Sequence, residues 1–246
     1  MSIAALKLRI ATVVAGAQTH ARRLPTDIPA IDAALPNGGI PRGQLTEWLG
    51  PPGTGLTSAA RQLLFATLRA GCGTSGAAWV DARRTLDPLA IAADGLDTTW
   101  VVRPPDPARA PWCADLLLRS GAFALVVLDD APVLPRPIAL RLAHLARETD
   151  TALLLLGHGT RATDGGATLR LRFDRRGPNR VPTVTPEKGG LHPHPVPLAL
   201  DHVVPVTTRL CAHPEIPDRR SVARAGRRGA PHGRTRRVAQ PRFPDR

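Results

Sequence analysis

Residues 44–58, QLTEWLGPPGTGLTS, constrain the fold of this chain more than any other stretch. QLTEWLG reads as a short strand ending at a glycine, and TSAARQLLFATLRAG (57–71) reads as a helix with a glycine stop. Between them lies a loop carrying Gly50, Gly53 and Gly55, with Thr57 and Ser58 at the start of the helix. A strand, then G-x-x-x-x-G-K-[S/T], then a helix is a phosphate-binding loop. Its backbone N–H groups and helix N-terminus face the phosphates, its lysine contacts the outer ones, and its hydroxyl meets magnesium. Gly50, Gly55 and Thr57 stand in register with that pattern, but the lysine position is Leu56. A leucine cannot neutralise phosphate charge or the charge that develops during phosphoryl transfer. Three readings stay open: the loop is kept as a strand-to-helix turn for packing, it still holds a nucleotide or another anion weakly, or an arginine from elsewhere in the chain fills in for the lysine.

The remaining pattern predicts an α/β fold with a mostly parallel central sheet. AAWVDA (77–82), TTWVV (98–102), ALVVLDD (124–130) and TALLLLG (151–157) are apolar strand candidates, and PIALRLAHLARET (137–149) is a helix between the last two. Apolar strands alternating with helices belong in a sheet covered on both faces. From about residue 167 the sequence alternates polar and apolar, in TLRLRFDRR and then VPTVTPEKGG, which predicts antiparallel edge strands. LPTDIPAIDAALPNGGIPRG (24–43) reads as turn, short helix, turn. Ile3, Leu6, Ile10 and Val13 or Val14 have helical spacing, so a helix is expected over 3–15. The resulting division is an N-terminal helix over 1–20, a core over 21–212 and a tail over 213–246.

The strand ALVVLDD ends in Asp129, which such folds use as a magnesium-associated carboxylate beside the loop. Asp130 reads as a helix cap or a solvated turn residue. Asp81 and Asp87 read as turn and cap carboxylates, and His158 as a polar residue between Gly157 and Gly159, although a histidine there could also move protons. Trp48, Trp79, Trp100 and Trp112 are not spaced as a base-stacking platform and suit packing or an interface. Cys72, Cys113 and Cys211 show no metal or disulfide spacing and are expected to be buried reduced thiols.

Net charge adds a partner class. The chain carries +13, and every basic residue except Lys7 and Lys188 is arginine. Residues 217–246 hold ten Arg against two Asp, a net +8, leaving +5 for the rest. Arg219, Arg220, Arg224, Arg227, Arg228, Arg234, Arg236 and Arg237 lie in this tail, which is too polar to fold alone and is expected to be disordered. Such a tail suits DNA phosphates without sequence preference, or it reflects compositional bias alone. No apolar run approaches the roughly 20 residues needed to span a bilayer, and Lys7 and Arg9 interrupt the N-terminal apolar stretch. A cytoplasmic protein without a membrane partner is expected.

The run IDAALPNGGIPRG ahead of the loop, followed by WVDARRTLDP, ALVVLDD and TALLLLGHGTR, resembles the RecA recombinase core in order and spacing over about residues 24–200. The short length, the segment ALKLRIATV and the stretch LRLRFDRRG resemble one branch in particular, the ImuA family of RecA-like accessory proteins in bacterial mutagenic translesion synthesis. The resemblance implies a RecA-like fold with ATP and magnesium bound weakly at most. It also implies polymerase partners (one Y-family-like, one an error-prone replicative-type enzyme), or RecA itself, within the SOS response. RecA carries a catalytic Glu where this chain has Arg83, an adenine-stacking Tyr where it has Ala90, and a γ-phosphate-sensing Gln near His158. With Leu56, these departures imply a scaffold that does not hydrolyse ATP. The alternatives are a weak DNA-dependent ATPase or a RecA-fold inhibitor of cell division.

Overall fold

The computed structural model describes residues 23–70, 76–87, 99–130, 132–159, 162–163, 165–176, 179 and 181–199. The expected N-terminal helix, the Arg-rich tail, Ala90, Cys72 and Cys211 lie outside these residues.

The chain enters through β1 (Arg23–Leu24), α1 (Pro29–Ala34) and β2 (Ile40–Pro41), with β1 and β2 paired antiparallel. Then come β3 (Leu45–Leu49), α2 (Leu56–Arg69), β4 (Gly76–Asp81) and β5 (Thr99–Val102). Next are α3 (Ala110–Ser120), β6 (Phe123–Asp129), α4 (Arg136–Glu148) and β7 (Ala152–Gly157), followed by β8 (Ala167–Arg176), β9 (Val181–Lys188) and β10 (Val196–Pro197). The main sheet runs β10-β9-β8-β3-β7-β6-β4-β5, and its β3, β4, β5, β6 and β7 are mutually parallel where they pair.

Central position explains the composition of these strands. All seven residues of β6 are buried, and so are the first five of β7. Successive side chains leave opposite faces of a strand. Leu125 and Val127 join the core on one face with Leu56, Leu63 and Leu64 of α2, while Val126 and Leu128 join the other face with Leu118 of α3 and Leu142 of α4. Burying each such side chain contributes about 1.5–3 kcal/mol, an upper bound because unfolded chains are partly collapsed.

Two features differ from the sequence pattern. β8 is not an edge strand: it runs parallel to β3 and antiparallel to β9, so it lies inside the sheet. Its alternation persists because Leu169, Leu171 and Phe173 enter the core while Arg170 on the other face reaches buried Glu47 at 2.7 Å. An ion pair takes the place of apolar contact, so an interior strand reads as half exposed. Helix α3 lacks an obvious sequence signal, since its first turn holds Pro111 and its outer face holds exposed Trp112 and Leu116. Proline at the start of a helix removes only an N–H that has no partner there. Cys113, on this helix, is buried as expected, and burial pushes its thiol above the ordinary range. Among the described residues, no helix is long and apolar enough to cross a membrane.

Candidate functional site

The carboxyl ends of the parallel strands bring the motif residues to one edge of the sheet. β7 lies between the loop strand β3 and the acidic strand β6, with β4 next to β6. Gly50 N–H donates to the Gly157 carbonyl at 3.0 Å, Asp130 N–H to Leu156 at 3.1 Å and Ala82 N–H to Asp129 at 3.4 Å. These bonds fix Gly50, His158, Asp129 and Asp81 in neighbouring strand ends, the usual place for a ligand crevice in an open α/β sheet.

The loop keeps its backbone shape. A Cβ on Gly50 would come within 2.7 Å of the Phe173 carbonyl oxygen, so no larger residue fits against β8. Gly55 caps α2 at φ 89°, in the left-handed region open to glycine. Thr54 is buried and donates its hydroxyl to the Pro51 carbonyl at 2.8 Å. Thr57 and Ser58 are half-buried in the first turn of α2.

Leu56 turns inward. It is 2% exposed and belongs to the core that holds Ala60, Trp79 and Leu86. A lysine on that path would place an ammonium among hydrocarbon, at a cost that only a partner or an escape to solvent could offset. The cation that touches the loop backbone arrives from another element: Arg175 of β8 donates Nε to the Gly53 carbonyl at 2.5 Å.

The acidic side is occupied by internal partners. Asp129 is 1% exposed; its Oδ2 accepts the Trp79 indole N–H at 3.3 Å, and its Oδ1 lies 3.1 Å from His158 Nε2. That hydrogen bond raises the His158 pKa above its ordinary value. Burial opposes the rise, the charges of Asp129 and Asp130 reinforce it, and Arg83 lowers it slightly. Arg83 itself pairs with Asp130 at 2.7 Å, and Asp130 adopts φ 50°. Asp81 is fully buried and accepts from the Thr85 and Leu86 N–H groups and from Arg103 Nε at 3.0 Å, a structural role that closes the turn after β4.

The structure thus brings together Gly50, Gly53, Gly55, Leu56, Thr57, Ser58, Asp129 and His158, and leaves Asp87 exposed at the rim of the described segment. The eight tail arginines singled out in the sequence lie outside the described residues. Sequence reasoning missed Trp79 as a donor to Asp129 and Arg175 as a neighbour of the loop. No spacing rule connects residue 79 with 129 or 53 with 175; sheet topology alone does. Tested against this arrangement, a magnesium-bound nucleotide poised for hydrolysis does not fit. The lysine position is inside the core, and both oxygens of the candidate magnesium carboxylate already have protein partners. What persists is a glycine-shaped turn with N–H groups and a helix N-terminus.

Known proteins point the same way on fold. The family described as RecA N-terminal domain matches residues 8–139. The chain is 40% identical over 116 residues to protein RecA of Saccharopolyspora erythraea, a span covering 46% of this chain and 33% of that protein. Protein RecA of Salinispora arenicola and of Mycobacterium marinum give the same identity over the same length, covering 32% and 33% of those proteins. The chain therefore spans about a third of the length of the relatives it matches. The family match runs through the loop, α2, β4 and the acidic end of β6 and takes in more than half of the sequence, and on that ground the chain belongs to the RecA N-terminal domain family.

Proposed function

We propose that this protein is a RecA-like DNA-repair accessory factor that acts as a scaffold and does not turn over ATP. The observation that carries the reading is the burial of Leu56 in the core, which removes the lysine position from the phosphate side of the loop. Occupation of Asp129 by Trp79 and His158, and of Asp130 by Arg83, supports it. The finer assignment is to the ImuA type: an SOS-induced partner of mutagenic translesion synthesis that contacts polymerase subunits or RecA, with DNA held by the arginines of residues 217–246. Support for this part is the resemblance of the segments at residues 5–13 and 169–177 and the tail charge of +8.

A strain lacking the protein should yield fewer mutations after ultraviolet damage. Both the wild type and Thr57→Ala should restore them. Failure of Thr57→Ala to restore them, with the variant present at normal levels, would contradict a scaffold independent of nucleotide. A second reading, a weak DNA-dependent ATPase, is favoured by one observation, the Arg175 guanidinium at the Gly53 carbonyl.

A further inference from the structure

The turn between α1 and β2 holds an asparagine followed directly by a glycine, Asn37–Gly38. Gly38 N–H donates to the Leu35 carbonyl at 3.2 Å, with Pro36 second in the turn and Asn37 third, at φ 75°. A proline second and a left-handed residue third make a type II turn, and asparagine is one of the few residues with a side chain that tolerates that third position. Pro36, Asn37 and Gly38 are all exposed. A Cβ built on Gly38 would meet no atom within 4 Å, so the side of the peptide where a side chain would stand is open. The Asn37 side-chain amide makes no hydrogen bond to another described residue.

This pair of residues has a chemistry of its own. A backbone nitrogen that has lost its proton to solvent can attack the side-chain carbonyl carbon of the asparagine before it. The bond from Gly38 N to Asn37 Cγ forms, the Cγ–Nδ2 bond breaks, and ammonia leaves behind a five-membered succinimide. Water then opens the ring at one of two carbons. Attack at Cγ gives aspartate with the ordinary main chain. Attack at the main-chain carbonyl carbon of Asn37 gives isoaspartate, in which the chain runs through Cγ and the former carbonyl becomes a free carboxylate. The sum is asparagine plus water going to aspartate or isoaspartate plus ammonia, with nothing oxidised or reduced. Glycine favours ring closure because no side chain obstructs the nitrogen or restricts its rotation.

A cation already sits on one of the two carbonyls. Arg23 of β1 donates Nη1 to the main-chain carbonyl oxygen of Asn37. A guanidinium there polarises that carbon and stabilises both the oxyanion and the carboxylate that form on it. We infer that Asn37 is a site of spontaneous deamidation and that Arg23 directs its product toward isoaspartate. The product adds a methylene to the main chain and a negative charge facing Arg23. Gly39 leaves no room for the longer path on the β1 side, since a Cβ there would lie 2.6 Å from the Leu24 carbonyl oxygen. The turn must therefore move outward, which loosens the β1–β2 pair ahead of the loop. The conversion is independent of whether the loop holds or hydrolyses a nucleotide.

The test ages the folded full-length protein at physiological temperature and mildly alkaline pH. Peptide mapping by mass spectrometry reads the exchange of amide for acid at each asparagine, and electron-transfer fragmentation separates isoaspartate from aspartate. The chain's other asparagine, Asn179, is also exposed but precedes Arg180, so it is an internal control with a bulky neighbour. Asn37 should convert at least about tenfold faster than Asn179, and Gly38→Ala should slow it by about the same factor. Alanine is strained at the Gly38 φ of 70°, so circular dichroism checks that variant, and the comparison of the two asparagines in the wild type stands without it. Arg23→Ala should lower the ratio of isoaspartate to aspartate by about twofold or more. Conversion of Asn37 no faster than that of Asn179 would overturn the site. A product ratio unchanged in Arg23→Ala, or equal to that of the chain unfolded in urea, would overturn the directing role of Arg23.

Discussion

His158 Nε2 stands 3.1 Å from one oxygen of Asp129 while the other oxygen receives the buried Trp79 indole N–H at 3.3 Å. One carboxylate thereby joins β4, β6 and the end of β7 beneath the loop. In a nucleotide-hydrolysing site that carboxylate would face a metal ion; here both its oxygens face protein.

That junction predicts a pH dependence. The Asp129 hydrogen bond raises the pKa of His158, so its folded value lies above its unfolded one, about 6.5. The stabilisation is fully present below about pH 6.5 and is lost as pH rises through the higher folded value. His158→Asn should flatten the stability profile between about pH 6 and 8. Urea unfolding at a series of pH values checks this, and parallel curves for wild type and variant would show that His158 does not gain its proton on folding.

Leu56→Lys restores the motif on paper and should still give no ATP turnover. It also puts an amine where a 2% exposed leucine packs, so stability should fall by roughly 2–5 kcal/mol. Denaturant melts and a phosphate-release assay read the two effects. Turnover gained from this single change would sink the view that the site has lost more than its lysine.

Glu47 on β3 is almost fully buried and held by Arg170 at 2.7 Å and by the Thr163 N–H at 2.6 Å. Arg170→Ala strands that carboxylate and should cost about 3–5 kcal/mol. Glu47→Gln combined with Arg170→Ala should recover part of the loss, because the uncompensated charge is gone. A loss below about 1 kcal/mol in the single variant would mean the pair is solvated.

Removing residues 217–246 takes away a net +8 and should lower both the affinity for single-stranded DNA and the slope of that affinity against salt. Titrations at several salt concentrations measure both together. If neither moves, the DNA surface belongs to the folded core.

Much of this was legible in the sequence. The apolar strands 124–130 and 151–157 read correctly because a strand covered on both faces must be apolar throughout, and the loop read correctly because its glycines answer to backbone geometry. β8 misled because the Arg170–Glu47 pair lets polar residues face the interior of the sheet. α3 was missed because its exposed face carries Trp112 and Leu116, which blurs the apolar stripe of a surface helix. At the site, the substitution at Leu56 was visible but its inward burial was not, since that depends on Trp79 and Leu86 arriving from β4 and the turn after it. The contacts Trp79–Asp129 and Arg175–Gly53 join residues 50 and 122 positions apart, and only the strand order brings them together.

A RecA-family fold persists here around a loop whose lysine position is buried leucine, and we propose that this loop no longer carries out phosphoryl transfer. The most direct test is ATP hydrolysis by the purified full-length protein, with magnesium, in the presence and absence of single-stranded DNA. No turnover above background is expected in either condition. DNA-stimulated turnover that disappears in Arg175→Ala would contradict it, and would mean that a guanidinium from β8 does the work of the missing lysine.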